Sequence, residues 1–429
     1  MREERLRPRG RFLRSISSLS IVLLALPAWT QTYNVIHAFT DQDNLYAGSV
    51  LTQDAAGNLY GASWYSEHKC HGDTCGAIYK VTPTGTLTLL HEFKGSPDGE
   101  YPVGLVADET GTLYGTTTYG GTSTFQNCNG HDGCGTLFEM TSSGKETILH
   151  SFSAPPTDGI EPLSGVIVSN GSLYGTTYFG GTGNAGFPGD GTIYEFADGI
   201  ETVLYNFTDG PQGGFPGADP LLLNGTLYGT TVFGGTGPCE TTYGYGCGTV
   251  FEFERAKTVR GGTGEHTLYE FQGGADGGFP AASLIADNEG NLYGTTVLGG
   301  DLNCNISGPP PGCGVAFKLT QSGQETVLHT FTGGSDGAWP SYALVMDAAG
   351  NLYGTAYFGG DLNCEDEAGL GCGTIFKIDT AGNFSVIHTF EGEDGSLPVA
   401  LILNGSTLYG VAGYGGPDNR GVVYGLTLP

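Results

Sequence analysis

Ten cysteines, nine histidines and forty-four carboxylates are the side chains here that could cross-link, bind a metal or move a proton, and their spacing narrows the choice. The cysteines come as close pairs: Cys70/Cys75, Cys128/Cys134, Cys239/Cys247, Cys304/Cys313 and Cys364/Cys372. Two related loops, "GGTGNAGFPGDG" and "GGPDNRG", carry none. Thiols present in twos or wholly absent are what local disulfides require, and disulfides belong to exported proteins. Each such short ring stabilises a fold by ~2–3 kcal/mol in the loop-entropy account. Zinc is the competing chemistry, strongest at "HKCHGDTC", where His68, Cys70, His71 and Cys75 offer a tetrahedral set. The other four pairs lack the double-histidine setting, so disulfides are expected throughout and no metal is assigned.

Recurrent "DG" loops place Asp98, Asp158, Asp209, Asp276, Asp336 and Asp394 ahead of a glycine. Calcium needs six to eight oxygens in one place, and one carboxylate per loop falls short, so these read as Asp-Gly turns. Just before the proline that follows stand Tyr101, Phe215, Phe279, Trp339 and Leu397. Such a ring of side chains, rimmed by carboxylates, can stack on sugar rings or can plug the fold. Tyr119, Phe179, Phe233, Phe358 and Tyr414, before a Gly-Gly corner, and Tyr65 at the matching position of the first repeat, have the same two readings. His37, His91, His150, His329 and His388 share one repeat position with Tyr205 and Tyr269, which points to packing with a polar contact rather than metal binding.

Catalysis in a repetitive chain shows as a departure from the repeat. Glu67 with His68 or His71 offers a base and an acid for lyase-type chemistry. Asp361, Glu365, Asp366 and Glu367 form one further irregular cluster, and Arg255, Lys257 and Arg260 another. No Ser/His/Asp arrangement, phosphate-cradling glycine loop or HExxH can be read, so a binding module is expected over an enzyme.

The elements that position these residues follow from Leu-Tyr-Gly, which occurs at Tyr60, Tyr114, Tyr174, Tyr228, Tyr293, Tyr353 and Tyr409, 54 to 65 residues apart. Each interval holds four strand-like runs; in the sixth they are "SYALVMD", "NLYGTAY", "GTIFKID" and "FSVIHTF". Four antiparallel strands per repeat make a propeller blade. The chain opens with a lone fourth-type strand, Tyr33 to Phe39, and closes with the other three, Leu397 to Leu428. An all-β, seven-bladed β-propeller spanning 31–429 is expected, with the N-terminal strand completing the last blade and leaving no sheet edge open.

Residues 1–30 carry six arginines and then "SIVLLALPA", too short to span a bilayer, and read as a signal peptide. Beyond them ten basic residues face forty-two acidic ones, a balance that repels nucleic acid and anionic lipid. A secreted or periplasmic protein without a transmembrane segment, monomeric and binding a glycan or protein, is expected; a structural envelope role and a carbohydrate-active or lyase-type enzyme are the alternatives.

The combined unit, "CGTIFKI", then "ETVLHTF", "DG" and "GNLYGTT", resembles the choice-of-anchor tandem repeat called the GloVer repeat, found in exported bacterial proteins. The resemblance covers nearly all of 32–429 and implies export and a repeat architecture; it brings no activity with it. Similar proteins often end in an anchoring segment, whereas this chain ends in the strand "GVVYGLTLP", so secretion or a periplasmic location is expected over covalent display.

Overall fold

The computed structural model describes residues 31–429 apart from 71–72, 126–127, 129, 154, 183–188, 209, 241–244, 256–263, 305, 307–310 and 365–368. The expected signal peptide, His71, Asp209, Lys257, Arg260, Glu365, Asp366 and Glu367 lie outside the described residues.

Seven four-stranded antiparallel sheets form the seven blades of a β-propeller. Blade one runs outward through Val50–Gln53, Leu59–Ser63, Ala77–Val81 and Leu87–Glu92. Blade seven takes Ser396–Asn404, Thr407–Tyr414 and Val422–Thr427 from the end of the chain and Thr32–Ala38 from its beginning. Thr32 pairs with Thr427 and Ala38 with Val422, so the N-terminal strand covers the edge that the last strand would leave bare.

Every fourth strand slips by one residue against its third strand, and the slip between Val35 and His37 in the closing strand recurs in the other six blades. A bulge of this kind bends the strand and re-aims the side chains beyond it. Past the bulge, Phe39, Phe93, Phe152, Phe207, Phe271, Phe331 and Phe390 are each fully buried. Each meets the third-strand aromatic of the next blade edge-on, at centroid distances between 5.1 and 5.5 Å. The series includes Phe39 against Tyr79, which joins blade seven to blade one. Each edge-to-face pair is worth ~0.5–1.5 kcal/mol beyond the area it buries.

The Leu-Tyr-Gly glycines serve the same third-strand rings. A Cβ at Gly61 would lie 2.3 Å from the Tyr79 ring, and one at Gly354 2.5 Å from the Phe376 ring. The leucines of the motif, Leu59 through Leu408, stand two residues before these glycines and are buried on the same side of the strand, while the tyrosines between them point to the other. Some of the tyrosines cap the blade rim: the Tyr60, Tyr293 and Tyr353 hydroxyls donate to Asp54, Asp287 and Asp347.

All ten cysteines form the five expected disulfides, with Cα separations of 5.1–5.8 Å. The second cysteine of each also reaches the next blade. The carbonyls of Cys75, Cys134, Cys247, Cys313 and Cys372 accept from the backbone N–H of Tyr101, Glu161, Phe279, Trp339 and Leu397. The glycine after each of these cysteines lies against the next blade's proline; at Gly76, with φ +84°, a Cβ would sit 2.5 Å from Pro102 Cδ.

Candidate functional site

The residues ahead of each proline occupy strained backbone: Tyr101, Phe215, Phe279, Trp339 and Leu397 have φ between 55° and 60°. The inter-blade hydrogen bond from each N–H holds them there, with Asp190 supplying the acceptor for Phe215. Glu161, at φ 53°, takes the place in blade three. It escapes an alignment made on bulky side chains. It is buried, and loss of solvation pushes its carboxyl up to about 7.

These side chains do not form one even ring. Phe215, Phe279 and Leu397 are buried, while Tyr101 and Trp339 are part-exposed. Phe179, Phe215, Phe233 and Phe279 interlock edge-to-face in sequence, and Trp339 packs on Phe358 at 5.1 Å. Tyr119 instead stacks on His131 at 3.8 Å.

Over blades six, seven, one and two the mouth is open. A cleft of about 390 Å³ is lined by Tyr46, Trp64 and Tyr65 of blade one and by Tyr101 of blade two. Tyr342, Tyr357 and Tyr414 close its other side. Gly413, on its wall, stands where the other blades carry Trp64, Thr118, Tyr178, Val232, Val297 and Tyr357, two residues before the corner. A Cβ there would meet nothing nearer than 3.7 Å, so the missing side chain leaves the space open. Trp64 is 53% exposed, and the Arg420 guanidinium lies over Tyr46 and Tyr65 at 4.7 and 5.5 Å.

Ser49, Trp64, Tyr342 and Val399 connect the cleft to a central channel of about 520 Å³, to which all seven blades contribute. Small residues dominate its wall, and Asp219 is the charged residue among those lining it. Its carboxylate accepts from Gly165 N–H at 2.5 Å, and burial within the surrounding protein raises its pKa.

The shared histidine position makes the polar contact expected of it, and the structure supplies the partner. His91, His150, His329 and His388 each place Nε2 2.8–3.3 Å from the aspartate of the following DG loop, Asp98, Asp158, Asp336 and Asp394. The same aspartates accept a loop N–H, as from Lys94 and Ser153, so each turn is tied to its strand. His37 differs, bonding the Gly85 carbonyl and lying 3.7 Å from Asp43. In two seams a glutamate from the next blade joins, Glu146 beside His91 and Glu201 beside His150. Burial and the neighbouring Asp98 push Glu146 up to about 9, and burial with Asp158 pushes Glu201 up to about 7.

Glu67 and His68 are both exposed on the first cysteine loop. His68 is held through its backbone N–H, which donates to Glu92, and no contact joins the Glu67 and His68 side chains among the described residues. Arg255 forms an ion pair with Glu195 at 2.7 Å, away from the cleft.

Solved structures similar in shape include a computationally designed protein, Ika8, at 11% identity, covering 92% of this chain and 99% of that one with a TM-score of 0.47. Another is the extracellular domain of a putative one-component system from B. thetaiotaomicron, at 10% identity, 91% and 39% coverage and a TM-score of 0.49. A PQQ-bound aldose sugar dehydrogenase from Streptomyces coelicolor matches at 11% identity, 93% and 98% coverage and a TM-score of 0.44. No curated protein matches the sequence. The model of the Gloeobacter/Verrucomicrobia repeat matches residues 22–243, 124–306 and 188–424, and the chain belongs to that repeat family.

Proposed function

We propose that this protein is a non-catalytic binding module working at or outside the cell envelope, and that it takes a glycan in the aromatic cleft over blades six, seven, one and two. The observation that carries this reading is the cleft itself: seven aromatic rings around about 390 Å³, formed where the repeat departs from its own pattern at Gly413. Sugar rings offer C–H faces to aromatic planes and hydroxyls to phenols, and Tyr and Trp supply both kinds of contact at small entropic cost. Five disulfides and a repeat family of exported bacterial proteins favour an extracellular setting. The exposed, unassociated Glu67 and His68 give the lyase alternative little support.

A glycan array probed with the exported chain tests the proposal. Binding to a defined set of glycans is expected, reduced at least about tenfold by Trp64→Ala, a loss of ~1.4 kcal/mol, with an unchanged melting temperature. Silence across the array, or binding indifferent to Trp64→Ala and Tyr101→Ala alike, contradicts it.

A further inference from the structure

We propose that two neighbouring seams of the ring each bind a first-row divalent cation of the Zn²⁺ kind, the first through His91, Asp98 and Glu146 and the second through His150, Asp158 and Glu201. In each trio the donor atoms lie within 4.8 Å of one another. His91 Nε2 is 3.3 Å from Asp98 Oδ2 and 3.4 Å from Glu146 Oε2. Ligands bound tetrahedrally at ~2.05 Å stand ~3.3 Å apart, so these two edges already have the length a zinc site needs. In the second seam His150 Nε2 is 3.1 Å from Asp158 Oδ2.

Two carboxyls converge on Nε2 of His91, whose neutral ring has one N–H to offer, and in the absence of a cation Glu146 and Asp98 hold a proton between them. Asp158 is 5% exposed, and its Oδ1 is buried with no hydrogen-bond partner. Glu201 Oε1 is in the same state. Buried acceptors left unpaired cost free energy, and a coordinated cation removes that cost.

The other seams show that the trio is not a requirement of the fold. Between blades five and six, Phe384 replaces the glutamate and stacks on His329 at 3.5 Å. Between blades six and seven, Tyr33 does the same to His388 at 4.0 Å. Where Tyr205 and Tyr269 replace histidine, their hydroxyls donate to Glu265 and Asp276. Among the described residues, a three-ligand set of one imidazole and two carboxylates is confined to the two seams flanking blade two. Two carboxylates offer too few oxygens for calcium, whereas mixed nitrogen and oxygen donors suit zinc and its neighbours, with water in the remaining position. Each cation would tie the fourth strand of one blade to that of the next.

The test loads the full chain with Zn²⁺, removes free metal by gel filtration, and measures zinc by plasma emission alongside the melting temperature. About two Zn²⁺ per chain are expected, with a melting temperature that rises on loading and falls back with a chelator. The double variant Glu146→Gln, Glu201→Gln should bind Zn²⁺ at least about tenfold more weakly. Glu325→Gln, at a seam with Tyr269 in place of histidine, should match the parent. A parent chain that retains no zinc, or a double variant that retains as much as the parent, overturns the proposal and leaves the carboxyls sharing only a proton. The parent measurement stands even if the double variant does not fold.

Discussion

The two sides of the channel mouth use equivalent sequence positions in opposite ways. Across blades three to five, Phe179, Phe215, Phe233 and Phe279 interlock edge-on and bury one another. Across blades seven, one and two, the corresponding positions hold Tyr414, Tyr46, Tyr65 and Tyr101, which meet edge-on at Tyr46 yet leave open space beside Trp64. Blade six keeps its Trp339–Phe358 pair and adds Tyr342 and Tyr357 to the wall. A rigid repeat thus lets one sector specialise at little cost to the ring, because each blade's core is completed farther out, by the seam phenylalanines and the third-strand rings. Packing and binding are separated by a few side chains within one motif.

The comparison breaks most completely if the ring opens beside the cleft. Deleting residues 31–40 removes the strand paired with Val422–Thr427 and the Phe39–Tyr79 contact. Aggregation, or a melting temperature far below the parent's, is the expected outcome in a thermal scan, since a bare strand edge is exposed. A truncated chain as stable as the parent would show that the closure is decorative.

Next in size is Phe215→Ala, which removes a fully buried ring from the packed sector. A loss of ~3–5 kcal/mol in denaturant unfolding is expected. Tyr101→Ala in the open sector should cost no more than about 1 kcal/mol, because its ring is part-exposed. Equal losses would erase the distinction between the two sides.

A smaller, pH-dependent effect belongs to Glu161, the carboxyl that takes the aromatic place in blade three. Burial raises it from 4.5 to about 7, so its share of stability is fully present below about pH 4.5 and is lost as pH rises through about 7. The Glu161→Gln variant should gain on the parent across that window, by a few kcal/mol at most, at roughly 1.4 kcal/mol per unit of pKa difference. A constant gap between the two stability curves would place the titration elsewhere.

Blades, closure and disulfides were legible in the sequence because each repeats with the period of Leu-Tyr-Gly, and a strand missing at one end of the chain was found at the other. The mouth was less legible. Glu161 does not resemble Phe215 or Trp339 until the shared positive φ and the hydrogen bond to the preceding blade are seen. Gly413 is one of 76 glycines, and its meaning lies in the side chain that its counterparts carry. The seam trios were hidden for a different reason: His91 and Glu146 sit in successive fourth strands and meet only when the blades pack, and no local spacing encodes that contact. The register slip in every fourth strand likewise leaves no mark on the alternation of residue types.

The most direct measurement fills the open sector without disturbing the packed one. Gly413 lies in the strand Thr407–Tyr414 with room for a side chain, so Gly413→Val should fold and melt like the parent, within about 1 kcal/mol. Titrated with the glycan bound best by the parent, this variant is predicted to lose at least about tenfold in affinity, or ~1.4 kcal/mol. Undiminished binding by a well-folded Gly413→Val protein would contradict the assignment of the cleft as the ligand site.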